Sequence, residues 1–365
     1  NPQESLARSN ISFLMHYDPA VDGPTLCAAA RDYDRVHGHP KGRYTSWPNA
    51  REPNRRLKIG YLSPDFREHS VAQYLEPLLA AHDLAAVDVF AYAEVPRPDA
   101  TTERMRGLVP HWRKVAALAD TEAARQIRAD AIDILVDLAG HTSGSRLGIF
   151  ALKPAPIQVT WLGYPGTTGL SAIDYRLTDI HADPLGTESH ATETLFRLPR
   201  GFHCWQPPRN APEIASRAEA RTMTFGSFNN AAKLNDAVLR LWARLLARIP
   251  AARLIVKWKT FDDPRLRERV RGIFASEGVA RGRVTFAAAS RHDVMLADYA
   301  DIDIALDPFP FTGATTTCEA LWMGVPVVTW PGARPVSRQG AAFLRPMGLE
   351  DLCAASADDY INIAR

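Results

Sequence analysis

The chain has 365 residues, 46% of them hydrophobic and 23% charged, with a formal net charge of +2. That length accommodates two domains on the usual scale of about 100–200 residues each, and the balance is that of ordinary soluble globular protein. Nothing in the charge favours nucleic acid or a membrane surface as partner, and no apolar run approaches the roughly 18 residues of a membrane helix.

The first residues, Asn1-Pro2-Gln3-Glu4-Ser5, are no signal peptide, and the missing initiator Met makes the chain read as a piece of something longer. Residues 1–50 read as a helical segment and linker. Ser9-Asn10 is expected to cap a helix running to Tyr17, and Pro24–His37 gives a second. The Pro, Gly and Arg content of residues 38–56 then marks a boundary. No internal repeat recurs at a period of about 20–50 residues.

From Arg56 onward strands and helices alternate. Strands are expected at Leu57–Leu62, Val87–Tyr92, Ile132–Leu138, Ile157–Leu162 and Tyr175–Thr178, with helices at Val71–His82 and Thr121–Ala129. Residues 206–221 look like an interdomain connection. The alternation restarts with strands at Met223–Phe228, Leu254–Trp258, Val284–Ala288, Ile302–Leu306 and Val327–Trp330. Helices are expected at Asp236–Ile249, Asp263–Glu277, His292–Tyr299, Thr315–Met323 and Ser337–Met347. Such a chain is α/β, with two tandem Rossmann-like, doubly wound domains: one lobe over 51–210 and a second over 211–350, followed over 351–365 by the start of a C-terminal helix. Ligands are expected at the carboxyl ends of the strands, between the lobes.

Standard fingerprints are missing: the chain has no GxGxxG after its first strand, no GxxxxGK[ST], no GxSxG and no HExxH. Asp301-Ile302-Asp303 reads as a strand with surface carboxylates rather than a metal motif, and no metal site is expected. Cysteines 27, 204, 318 and 353 form no CxxC pair and fit a reducing cytoplasm better than two disulfides.

The most informative stretch runs from Leu306 to Glu319, Leu-Asp-Pro-Phe-Pro-Phe-Thr-Gly-Ala-Thr-Thr-Thr-Cys-Glu. A strand empties into a Pro- and Gly-stiffened loop, and three threonines open a helix. Helix N-termini present free N–H groups and partial positive charge, so the stretch reads as a diphosphate cradle, with Gly313 allowing close approach of the backbone. Thr316-x-x-Glu319 also fits a capping box, which needs no ligand. Four further strand-end loops carry polar residues. His69 stands before a helix and suits proton transfer near neutral pH, although a lone histidine there is more often structural. Residues 139–144 and 162–169 are rich in small residues that permit approach of a sugar. Residues 226–233 end in Lys233, a point charge for phosphate if it is not simply solvated.

Taken together these loops resemble the catalytic region of the protein O-linked N-acetylglucosamine transferase family, in particular its bacterial members and the Spindly-type O-fucosyltransferases. The resemblance covers about Leu57 to Met347. It is carried by Gly60–Phe66 with His69, by Ile134–Thr142, by Pro154–Thr167, by Phe225–Asn230 with Lys233, and by the cradle. It implies a GT-B type fold and inverting, metal-independent transfer of N-acetylglucosamine from UDP-GlcNAc to Ser or Thr hydroxyls of proteins. No cofactor is implied; the partners are a nucleotide-sugar donor and a protein or peptide acceptor, with no nucleic acid and no membrane, in the cytoplasm. By matching motif, Lys233, Gly313 and Thr315, Thr316 and Thr317 hold the diphosphate with Asn230 beside them, Glu319 meets the ribose and His292 lies near the base. His141, Thr142, Gly163, Tyr164 and Pro165 line the sugar, and His69 is the candidate base, with Lys233 also assisting catalysis. Ala314 stands where many animal members have histidine, which is closer to the Spindly-type pattern and leaves GDP-fucose as the second donor. Tetratricopeptide repeats usually precede this region in the family. A module that binds nucleotide sugar without turning it over is the reading from another class.

Overall fold

The computed structural model describes residues 2–52, 54–215 and 222–365, and divides into two compact units, Asn1–Gln206 and Pro207–Arg365. Of the connection expected over 206–221, residues 216–221 lie outside the described residues.

The first unit begins with helices α1 (Pro2–Leu14) and α2 (Gly23–His37). Its sheet elements follow as β1 (Leu57–Ser63), α3 (Ala72–Ala81), β2 (Val87–Ala93), α4 (Ala100–Leu108), β3 (His111–Lys114), α5 (Asp120–Ala129) and β4 (Ile134–Asp137). Helix α6 (Leu147–Ala151) and strands β5 (Ile157–Thr160), β6 (Tyr175–Thr178) and β7 (Thr194–Arg197) complete it. Among the described residues the strands form one seven-stranded parallel sheet in the order β3-β2-β1-β4-β5-β6-β7. Helices cover both faces. Leu75, Leu79 and Met105 pack with Tyr61 and Val136 on one, and Ile127, Leu147 and Phe150 with Leu62 and Leu135 on the other. Tyr33 of α2 belongs to the second of these cores, so the N-terminal helices are part of the unit.

The second unit comprises β8 (Thr224–Ser227), α7 (Asp236–Arg248), β9 (Arg253–Lys257), α8 (Pro264–Ser276), β10 (Val284–Ala287), α9 (His292–Ala297) and β11 (Ile304–Leu306). Helix α10 (Thr315–Trp322), β12 (Val327–Val328), α11 (Gln339–Leu344) and α12 (Ala357–Ala364) follow. The described strands form a five-stranded parallel sheet, β10-β9-β8-β11-β12. The apolar stripe of α7 (Val238, Leu241, Trp242, Leu245) is buried against Phe225, Leu254 and Val256, and Tyr360 and Ile361 of α12 join the same core. Asn235 caps α7 by accepting the Val238 N–H at 3.1 Å.

In both sheets the chain starts in the middle, runs outward to one edge, then returns to the other side of the first strand. That reversal creates a switch point between β1 and β4 and another between β8 and β11, where the loops leaving adjacent strands diverge and open a crevice. The loops singled out for His69 and His141 leave β1 and β4; those of Lys233 and the threonines leave β8 and β11. The sheet order therefore gathers each pair.

Several expectations are corrected. Helix α1 starts at Pro2 rather than behind a cap at Ser9-Asn10; Ser9 lies inside the helix, and its hydroxyl is turned to another part of the unit. The edge strands β3 and β7 and the short helices α4 and α6 have no counterpart among the expected elements, whereas α12 lies where a C-terminal helix is expected. Edge strands carry partly exposed residues, so they lack the apolar run that marks a buried parallel strand.

Candidate active site

In the second unit, β11 delivers Asp307 to the base of the threonine loop. Its carboxylate is 1% exposed and accepts the Gly313 N–H and the Thr329 hydroxyl, each at 2.6 Å. A residue that sequence reasoning passed over thus fastens the cradle loop to the strand region beyond β12. Burial pushes its carboxyl up to about 6, against the opposing pull of Thr329, Gly313 and the Lys233 charge. Gly313 is required by close approach: a Cβ there would stand 2.7 Å from Thr316 Oγ1 and 2.8 Å from Thr317 Oγ1.

Helix α10 opens behind Ala314, and no side chain caps it. The capping-box reading of Thr316 and Glu319 is therefore corrected. Thr316 lies inside the first turn and donates its hydroxyl to Asn229 Oδ1 at 3.0 Å, while Glu319, 3% exposed, is 2.6 Å from His292 Nε2. Thr315 and Thr316 are half-buried and Thr317 is buried. The end of an eight-residue helix with no cap of its own, bordered by hydroxyls, has the polarity a phosphate needs.

Lys233 approaches from the loop after β8. Its ammonium donates to the Thr312 carbonyl at 2.9 Å and to Asn229 Oδ1 at 3.4 Å, and stands 4.4 Å from the centre of the Phe311 ring. Desolvation lowers its pKa to about 8, with Asp307 pulling the other way. The structure thus brings Lys233 and Thr316 together through Asn229, while Gly313 is held by Asp307; sequence reasoning singles out the neighbouring Asn230 and misses Asn229. Asn230 caps the turn at 231–233 by accepting the Ala232 N–H at 3.1 Å. His292 is joined to the cradle through Glu319 rather than standing apart from it. Asp303 accepts the Thr224 N–H at 2.8 Å, which gives that carboxylate a structural task in the sheet.

In the first unit, His69 lies just ahead of α3, its side chain 38% exposed and its Nδ1 3.4 Å from Asp65 Oδ1. Nδ1 is also 3.3 Å from the Val71 N–H. Burial holds the imidazole below its ordinary pKa, with Asp65 opposing, and raises the Asp65 carboxyl, with His69 and Arg67 opposing. A neutral imidazole near pH 7 is the protonation state a general base requires.

The loops after β4 and β5 lie against one another. A Cβ on Gly163 would fall 1.8 Å from the Leu138 carbonyl oxygen, so only glycine permits that packing. Leu162, just before it, has φ +74°, a strained conformation for a leucine. Thr142 is half-buried and donates to the Ala139 carbonyl at 2.7 Å; Pro165 is half-buried. His141 and Tyr164, expected to line the sugar, turn their side chains inward in this structure. His141 is 1% exposed and its ring nitrogens meet Ser9 Oγ and the Thr168 carbonyl; Tyr164 is 7% exposed and its hydroxyl meets His16. Both face the protein interior, where α1 packs.

Comparison with known proteins bears on the family and the fold. The sequence matches glycosyl transferase family 41 over residues 28–220 and 213–365. It is 41% identical over 373 residues to a Petunia hybrida protein named as a probable UDP-N-acetylglucosamine–peptide N-acetylglucosaminyltransferase SPINDLY, across all of this chain and 40% of that protein. It is 30% identical to the Arabidopsis thaliana protein of the same activity name called SEC, across 88% of this chain and 34% of that one. The chain thus spans about two fifths of the length of the SPINDLY relatives it matches. A solved lysine-to-methionine mutant of Thermobaculum terrenum O-GlcNAc transferase superimposes with a TM-score of 0.95 at 40% identity, covering 100% of this chain and 70% of that one. The lipopolysaccharide galactosyltransferase WaaB, 11% identical with a TM-score of 0.51 over 84% of this chain and 99% of its own, shares the fold. With GT-B architecture and a family match over nearly its whole length, the chain belongs to glycosyl transferase family 41.

Proposed function

We propose that this chain is the catalytic region of an inverting glycosyltransferase that moves N-acetylglucosamine from UDP-GlcNAc to Ser or Thr hydroxyls of proteins without a metal ion. The observation that carries the reading is the uncapped N-terminus of α10 with Lys233 and Thr316 tied beside it through Asn229. The acceptor oxygen attacks the anomeric carbon on the face opposite the diphosphate, the carbon–oxygen bond to the diphosphate breaks, and the acceptor proton passes to a base, for which His69 is the candidate. Charge collects on the departing diphosphate, where Lys233, the threonine hydroxyls and the helix N–H groups stabilise it in the way a divalent cation does elsewhere. Glu319, held by His292, faces the ribose. A cytoplasmic setting goes with the reading: the four cysteines are unpaired, and among the described residues no helix is long and apolar enough to cross a membrane.

The experiment is transfer of labelled sugar to a peptide library from UDP-GlcNAc and, in parallel, from GDP-fucose, with EDTA present. Incorporation from UDP-GlcNAc is expected. Preference for GDP-fucose moves the assignment to the Spindly-type alternative, a requirement for a divalent ion removes the metal-free mechanism, and nucleotide binding without incorporation leaves a binding module.

A further inference from the structure

Helix α1 reaches the loops after β4 and β5 through buried polar contacts that the proposed chemistry does not use directly. Ser9, 6% exposed, places its Oγ 2.9 Å from His141 Nδ1, and His141 Nε2 lies 2.8 Å from the Thr168 carbonyl oxygen. A carbonyl only accepts, so Nε2 carries the hydrogen; Nδ1 of the neutral ring then accepts the Ser9 hydroxyl. Burial lowers the His141 pKa to about 4, consistent with that single tautomer. Beyond α1, His16 Nε2 lies 2.9 Å from the Tyr164 hydroxyl. The far side of the same loop is held by Glu193, which accepts the Thr168 N–H at 2.8 Å and the Thr167 hydroxyl at 2.6 Å.

The segment 164–168 is thus gripped on one side by Glu193 and on the other by a relay from an N-terminal helix. We propose that Ser9 and His141 are positioning residues for sugar transfer: through the Thr168 carbonyl they set the backbone of residues 163–168, making α1 part of the active-site framework. The proposal rests on the reading that this loop lines the sugar. Its physical basis is that misplacing a substrate-facing backbone by about 1 Å costs up to roughly a hundredfold in rate, while a buried Nδ1 without its donor has every reason to move.

The test compares Ser9→Ala, His141→Phe and His141→Gln, the last retaining a donor toward Thr168. The readouts are kcat and KM for transfer, UDP affinity by calorimetry, thermal unfolding, and amide exchange over 163–169. Ser9→Ala and His141→Phe are expected to lower kcat roughly ten- to a hundredfold, to leave UDP affinity unchanged and to speed exchange in the loop. His141→Gln is expected to recover part of the loss. Wild-type kcat in Ser9→Ala, or a lowered melting temperature with unchanged kcat per folded molecule, overturns the proposal, as does unchanged exchange over 163–169. Should His141→Phe fail to fold, Ser9→Ala still decides, since alanine is well suited to a helix interior. Failure of the transferase reading is told apart because it appears in the wild-type protein, as UDP binding without any transfer.

Discussion

Lys233 illustrates how one side chain gains its chemistry from its surroundings. A lysine with a pKa of about 8 is still largely cationic at neutral pH, yet it is poorly hydrated, so a diphosphate placed beside it would gain more than from a solvated ammonium. Lys233→Ala is expected to cut transfer by about 10²–10³ while leaving the circular dichroism spectrum unchanged; near wild-type turnover would take Lys233 out of the mechanism. The sign of the pH effect follows. Below about 8 the ammonium is charged and available; as pH rises through that value the charge is lost, so UDP affinity measured by calorimetry should fall between about pH 7 and 9. Lys233→Arg, whose charge does not titrate in that range, should abolish the dependence even if it binds less well. His69 is held below its usual pKa, so it is neutral at pH 7, and the acid limb of kcat should lie below the ordinary histidine value. His69→Ala should reduce transfer far more than UDP affinity; a collapse of affinity instead would make His69 a binding residue.

At the scale of elements, the loop from Asp307 to Gly313 and the first turn of α10 behave as one piece. Asp307 holds the loop at Gly313 and at Thr329, and the Tyr360 hydroxyl donates to the Asp307 carbonyl at 3.1 Å, so α12 also braces it. Gly313→Ala forces a methyl against two threonine hydroxyls and, at 3.0 Å, Asp307 Oδ1. Relief requires the first turn of α10 to shift. The expected result is a stability loss of about 1–3 kcal/mol in denaturant unfolding, typical of overpacking, together with a loss of UDP binding larger than that destabilisation explains. Unchanged UDP affinity would show that the cradle backbone does not contact the nucleotide.

For the whole molecule, the two sheets share one plan, with a buried parallel core and a switch point that each uses to present polar loops. Because the cradle lies entirely within the second unit, a nucleotide that binds there stabilises that unit by mass action. UDP at a hundred times its dissociation constant should raise the unfolding free energy by about 2.7 kcal/mol, and GDP at the same concentration should do much less. Equal or greater stabilisation by GDP would reverse the donor assignment.

The central strands, the stripe of α7 and the strand–loop–helix that ends in the three threonines were legible because their signals are local. A strand buried on both faces must be an apolar run, as in Phe90, Ala91, Tyr92 and Ala93 of β2, and a helix packed on one side must repeat its apolar residues every three or four positions, as in Val238, Leu241, Trp242 and Leu245. Motif order along the chain carried the family in the same way. What the linear text withheld depends on partners distant in sequence: Asn229 meeting Thr316 across 87 positions, Ser9 meeting His141 across 132, and His292 meeting Glu319 instead of standing alone. Whether a histidine in a small-residue loop touches a ligand or locks a fold is decided by what packs behind it, as His141 shows. Periodicity and motifs thus determined the central secondary elements and the family. Only the tertiary structure decided which polar groups are spent holding the framework, because a hydrogen bond satisfied in the interior leaves no mark on the residues to either side of it.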